Sequence, residues 1–172
     1  MIVNTYEDVV LRTFEERDIT DKCRWINDPE NNKYLHYDIP LEIEKTTQWF
    51  NNKNNNTRID CVIEYNGIPV GVIGLLAIDK LNSKAEYYIT VGEKTFKHKG
   101  IAYKATMAII NFAFCKLKLH KVYLNVDAEN IIAKKLYKKA GFVCEGHFSD
   151  DIFNQREQRF IDRERFAIIS KN

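Results

Sequence analysis

From Val9 to Phe14 apolar and polar residues alternate with the period of a half-buried strand. The turn Glu15-Glu16-Arg17-Asp18 then reads as a helix start with Asp18 as its cap. Ile19, Cys23, Trp25 and Ile26 recur at helical spacing up to Asn27, and Asp28-Pro29 restarts the phase, because proline fits the first turn of a helix. Beyond the loop His36-Tyr37-Asp38-Ile39-Pro40, an amphipathic helix over 42–53 carries Ile43, Thr46, Trp49 and Phe50 and ends in an Asn-rich surface loop.

The period changes at Ile59. Segments 59–65 and 69–78 are β-rich and join across Asn66-Gly67, the strongest hairpin signal in the chain, and a turn at Asn82-Ser83 leads into a strand over 85–91. The loop Lys97-His98-Lys99-Gly100 opens a long helix to about Leu117, with Ala102, Ala105, Ile109, Phe112 and Ala113 on one face. A strand over 121–126, a helix over 130–140 stopped by Gly141, and a strand from Phe142 follow; a last hairpin turns near Asn154-Gln155 and returns along 159–169. No repeat or linker divides the chain, so residues 1–172 read as a single domain. The pattern predicts an α/β fold: a mixed, mostly antiparallel sheet flanked by helices on both faces, with two right-handed strand-helix-strand passages in its second half.

Composition narrows the function classes. The 172 residues are 45% hydrophobic and 12% aromatic, enough for one sizeable core. Against 26 Lys+Arg stand 24 Asp+Glu, so there is no basic field for a phosphate backbone and no nucleic-acid partner is expected. No apolar run approaches the roughly 18 residues of a membrane span, and the first ten residues lack a secretory pattern, which predicts a cytoplasmic protein without a membrane partner. Cys23, Cys61, Cys115 and Cys144 form no Cys-x-x-Cys pair and the four histidines complete no ligand spacing, so reduced, mostly buried thiols and no metal are expected.

Two segments carry candidate chemistry. Lys97-His98-Lys99-Gly100-Ile101-Ala102 lies between a strand and a helix. The first amides of a helix lack intrahelical partners and sit at the positive end of its dipole, so this turn suits a pyrophosphate. Taken alone, a Lys-rich turn before a helix is more often a solvated connection. In the second segment, Asn130, Ala133 and Tyr137 share one helix face, which allows the Tyr137 hydroxyl to reach a cleft while Leu136 faces the core; taken alone, such a tyrosine is more often a half-buried packing residue.

Together these motifs resemble the Gcn5-related N-acetyltransferase (GNAT) superfamily, in the bacterial branch with spermidine, ribosomal-protein N-terminal and nucleotide-aminosugar acetyltransferases. The family's Arg/Gln-x-x-Gly-x-Gly/Ala loop stands here as Lys97-x-x-Gly100-x-Ala102, with Lys97 a departure, and Asn-x-x-Ala-x-x-x-Tyr-x-x-x-Gly-Phe runs intact from Asn130 to Phe142. Trp25-Ile26-Asn27-Asp28-Pro29-Glu30, Ala85-Glu86 and Glu145-Gly146 also look like this branch. The resemblance implies acetyl-CoA as co-substrate, its pyrophosphate on the amides of Lys97, His98, Lys99, Gly100, Ile101 and Ala102. It further implies that Ile89, Thr90 and Val91 pair with the pantetheine arm and that Asn130 hydrogen-bonds it. The strands over 85–91 and 121–126 should splay to open a slot for the thioester, with an amide near Thr90 or Val91 polarising the acetyl carbonyl. A homodimer is the assembly it implies.

Acetyl transfer to an amine needs a neutral amine, an oxyanion donor and a proton for the leaving thiolate. Tyr137 is the candidate general acid, and Glu86 or a water relay the candidate base. The favoured acceptor is a nucleotide-linked aminosugar, because Lys33, Tyr34, His36, Tyr37 and Lys45 make the acceptor half basic and aromatic, with its carboxylates spread among cations. The alternatives are a protein N-terminus, a polyamine, or a non-catalytic acetyl-CoA sensor on the same fold.

Overall fold

The chain opens with a hairpin, β1 (Ile2–Tyr6) and β2 (Val9–Thr13), and the computed structural model describes residues 1–171. Helices α1 (Ile19–Asn27), α2 (Pro29–Asn32) and α3 (Ile43–Asn52) follow, then the hairpin β3 (Ile59–Tyr65) and β4 (Ile68–Asp79). Asn66 and Gly67 join this hairpin at φ 51° and 75°, the left-handed pair that a two-residue primed turn requires. The second half runs β5 (Lys84–Val91), α4 (Ile101–Cys115), β6 (Lys121–Asp127), α5 (Ile131–Lys139), β7 (Val143–Asn154) and β8 (Arg159–Ile169). These strands make one sheet in the order β1-β2-β3-β4-β5-β6-β8-β7. The predicted mixed α/β class and its helices hold; β1 was not anticipated, because Ile2 to Tyr6 is half-exposed at the sheet edge and alternates weakly.

Strand alternation sends side chains to two cores. On one face α4 covers Leu11, Cys61, Ile63, Ile73 and Leu75, with its Ala105 and Ile109 fully buried, and α5 adds Tyr137 and Ala140 to the same core. On the other, α1 and α3 bring Ile19, Cys23 and Trp25 against Val62 and Val72, with Trp49 and Phe50 packed beside them. The thiols divide evenly: Cys23 and Cys61 are buried, whereas Cys115 and Cys144 are free and exposed, against the expectation that most would be buried.

One break in the sheet matters most. β5 and β6 run parallel and pair only at Lys84–Lys121, Ala85–Val122 and Glu86–Tyr123. Beyond that point β5 stays with β4 as far as the Val91–Gly71 pair, while β6 stays with β8 as far as Asp127–Arg163. The sheet therefore forks after Glu86, as the splay expectation required.

Asp18 does not cap α1. Its side chain accepts from Arg12 Nη1 and Nη2, both at 2.7 Å, and from the Glu15 amide at 2.8 Å, while Arg12 Nε reaches Glu64 at 2.6 Å. Arg12 comes from a core-facing strand and is 7% exposed, so a buried guanidinium needed this carboxylate more than the helix needed a cap. Burial alone would raise the Asp18 pKa; the Arg12 hydrogen bonds and the Glu15 amide outweigh it and hold the carboxyl below its ordinary value. A carboxyl depressed in the fold contributes stability that is full above its unfolded value near about 3.9 and is lost as pH falls through the folded value. D18N is expected to cost about 3 kcal/mol at neutral pH, with the difference from wild type shrinking below about pH 4. Urea unfolding at pH 7 and pH 3 measures both, and equal losses at the two values would contradict the pairing.

Candidate active site

The fork encloses a cavity of about 720 Å³. Its β5 wall runs from Glu86 to Val91, its β6 wall from Leu124 to Asp127, and the N-terminal end of α4 and one face of α5 close its other sides. Ile89, Thr90 and Val91 line it, as do Lys97, His98, Gly100, Ile101 and Ala102 of the loop. So do Asn130, Ala133 and Tyr137 of α5. Lys99 is the exception among the predicted residues: its ammonium lies 4.9 Å from the centre of the Phe96 ring.

Backbone geometry sets the donors. The Gly92 amide donates to Val70 O at 2.8 Å, so alternation turns the Thr90 amide toward β4 and the Ile89 and Val91 amides into the fork. Of the two amides near the expected acetyl position, Val91 is thus the one available. The strand ends there because Gly92 packs on Trp25, where a Cβ would lie 2.0 Å from Cγ. Asn31 Nδ2 ties this end down by donating to the carbonyls of Trp25 (3.1 Å) and Gly92 (3.0 Å).

At the start of α4, Gly100 sits at φ 74°. Among the described residues the amides of His98 through Tyr103 meet no acceptor. Six open amides at a helix N-terminus fit a pyrophosphate, so the residues present suit acetyl-CoA. At α5, Asn130 Oδ1 accepts from the Ala133 amide at 3.1 Å and caps the helix, so the remaining hydrogen-bonding group of its side chain toward a ligand is the Nδ2 amide.

Tyr137 is deeper than expected. Its ring packs against Tyr87, Phe142 and Phe166 with centroids 5.9, 5.9 and 6.4 Å away, and it is more buried than Leu136, which is half-buried and also lines the cavity. Its hydroxyl makes no hydrogen bond among the described residues, yet no fully buried polar atom lacks a partner, so the hydroxyl opens on the cavity. Burial pushes this phenol up to about 12, which keeps it protonated as a donor. Glu86 stands at the fork itself, its Oε1 3.5 Å from Asn125 Nδ2.

The acceptor side departs from the sequence reading. Of the basic and aromatic set, Tyr34 and His36 line the cavity, whereas Tyr37 and Lys45 line a separate cavity of about 620 Å³ beside Trp49. Three carboxylates from distant segments, Glu30, Glu86 and Asp127, line the cavity as well, along with Lys97, Lys139 and Arg163. Asp127 and its partner His36 were missed as a pair, since 91 residues separate them and neither belongs to a motif. Two arginines of the last hairpin are also engaged: Arg156 holds Asn32 and Leu35, and Arg163 Nε meets Asp151 at 2.5 Å.

A sequence profile of the acetyltransferase (GNAT) domain family matches residues 8–143. The chain belongs to this acetyltransferase family. It is 28% identical over 156 residues to a spermidine N(1)-acetyltransferase of Escherichia coli K12, covering 88% of this chain and 81% of the relative. Its structure is similar to that of a Vibrio cholerae spermidine N-acetyltransferase solved with CoA and spermine, with TM-score 0.86, 26% identity and coverage of 95% and 96%. A dodecameric form of the Vibrio cholerae enzyme aligns with TM-score 0.80 at 25% identity, over 95% of this chain and 94% of that one. The GNAT chain is an acyltransferase with acetyl-CoA as co-substrate, and no helix among the described residues is long and apolar enough to cross a membrane.

The space beside Gly100 is open, with no atom within 4 Å of a built Cβ. G100A therefore costs the free protein only the strain of a left-handed residue, about 1 kcal/mol. Acetyl-CoA affinity, by calorimetry, is expected to fall at least about tenfold as the methyl group enters the path of the pyrophosphate. Unchanged affinity would remove the pyrophosphate from this loop.

Proposed function

We propose that this acetyltransferase moves the acetyl group of acetyl-CoA onto a primary amine of a linear polyamine, by direct attack in a ternary complex. The observation that carries this reading is that Glu30 and Glu86 line the fork cavity, with the Asp127 carboxylate behind His36 in the same wall. A polycation is held by spaced carboxylates, whereas the diphosphate of a nucleotide-linked sugar is repelled by them. The spermidine acetyltransferases among its relatives point the same way, so the polyamine stands ahead of the aminosugar favoured from sequence.

In this reading the amides of His98 to Tyr103 hold the pyrophosphate, the β5 edge at Ile89 and Val91 holds the pantetheine arm, and the Val91 amide receives the oxyanion. Glu86 faces the incoming ammonium, orients it, and passes its proton on directly or through water. Tyr137 donates to the departing sulfur. Because its phenol lies near 12 and a thiol near about 8.5, transfer from tyrosine to thiolate is uphill on its own, and it proceeds coupled to loss of a proton from the newly acylated nitrogen, which restores the tyrosine. An assembly of several copies belongs to the same reading, on the strength of the dodecameric relative.

The deciding assay is CoA-thiol release from acetyl-CoA with spermidine, a UDP-4-amino-4,6-dideoxy sugar, an aminoglycoside and short peptides with free N-termini. Turnover with spermidine is expected. Preference for the sugar or a peptide would replace the acceptor, and acetyl-CoA binding without turnover would favour the sensor. Y137F is expected to lower kcat by about 10²-fold while leaving acetyl-CoA affinity within about twofold. Joint loss of both would make the residue structural.

A further inference from the structure

His36 and Asp127 face each other across the fork cavity. His36 Nε2 lies 2.8 and 3.0 Å from the two carboxylate oxygens of Asp127. Asp127 is 6% exposed and its carboxylate has no other hydrogen-bond partner among the described residues. The segment carrying His36 is held from a third place. Arg156, in the β7–β8 turn, donates to Asn32 Oδ1 and Asn32 O at 2.9 Å each and to Leu35 O at 2.7 Å. Three distant parts of the chain therefore fix one imidazole beside the site.

A carboxylate accepts hydrogen bonds, so Nε2 is the donor toward Asp127, and in the tautomer this contact selects the ring lone pair lies on Nδ1. Nδ1 has no partner among the described residues, while no fully buried polar atom goes unpaired, so this nitrogen stands open on a side chain that lines the cavity. A carboxylate on one ring nitrogen and an open lone pair on the other is the arrangement of a general base.

We propose that His36 is the catalytic base of the transfer, with Asp127 as the residue that positions its ring. The proposal rests on the reading of the cavity as an amine-acetylating site, whichever primary amine it takes. The acceptor ammonium carries three protons. One passes to His36 Nδ1, through Glu86 or water, and leaves to solvent, freeing the lone pair that forms the C–N bond. As the C–S bond breaks, Tyr137 protonates the thiolate. The second proton leaves the attacking nitrogen and restores the tyrosine. The third stays on the amide.

The test compares wild type, H36A and D127A on the amine that wild type turns over best in the acceptor panel, with acetyl-CoA affinity measured by calorimetry. H36A is expected to lower kcat by about 10²- to 10³-fold with acetyl-CoA affinity within about twofold, and added imidazole is expected to restore at least about tenfold of the loss. D127A is expected to lower kcat by about tenfold, without change in the KM for acetyl-CoA and without rescue, because His36 still fills the space that free imidazole would need. A kcat for H36A within about threefold of wild type, or a loss that imidazole leaves untouched, overturns the proposal. Should H36A fail to bind acetyl-CoA, D127A decides alone: an unchanged kcat overturns the proposal. If wild type acetylates no amine in the panel, the acetyltransferase reading of the cavity falls first and takes this proposal with it.

Discussion

Everything at the site depends on two parallel strands that pair for three residues and then part. The β5–β6 ladder stops at Glu86–Tyr123, and every backbone group beyond it on the facing edges is left without a ladder partner. Unpaired strand edges inside a fold are costly unless something completes them. In the proposed reading the missing partner is the extended arm of acetyl-CoA, so the gap that interrupts the sheet would also be the binding surface.

The fork stays open because its two prongs are anchored separately. β5 is held by antiparallel pairing along β4 and by Trp25, which stacks on Gly92 and donates from Nε1 to Glu93 at 2.8 Å. β6 is held by β8, and its register with β8 runs unbroken from Lys121 to Asp127. Between the prongs, Tyr87, Tyr137, Phe142 and Phe166 form one aromatic cluster that fills the base of the gap. Tyr137, the proposed donor to sulfur, is thus part of the packing between the prongs, and the same burial raises its pKa.

Most of the fold was legible because its signals are local. Asn66-Gly67, the proline at position 29 and the glycine at 141 each mark a turn or helix end that the backbone adopts, and the boundaries of α1 and β8 coincide with those read from periodicity. The two segments proposed for the cofactor were equally legible as elements, since Lys97 to Ala102 and Asn130 to Tyr137 are contiguous motifs at a helix start and on a helix, and all of the predicted residues in them but Lys99 line the cavity. The acceptor half was not. Glu30, His36, Glu86, Asp127 and Arg163 come from five segments, and only the fork and the Arg156 clamp bring them together. Judging acceptor charge from neighbours in sequence counted Tyr37 and Lys45, which belong to another cavity, and overlooked Asp127. Asp18 failed for the same reason: its cap-like position says nothing of a buried arginine arriving from β2.

The central claim is that the fork between β5 and β6 receives acetyl-CoA through open backbone amides. Amide hydrogen exchange with and without CoA measures this directly. Slowed exchange concentrated in residues 87–91 and 97–103, with the β1–β4 half of the sheet unchanged, is the predicted result. Protection elsewhere, or none at concentrations where CoA is bound, would contradict the account.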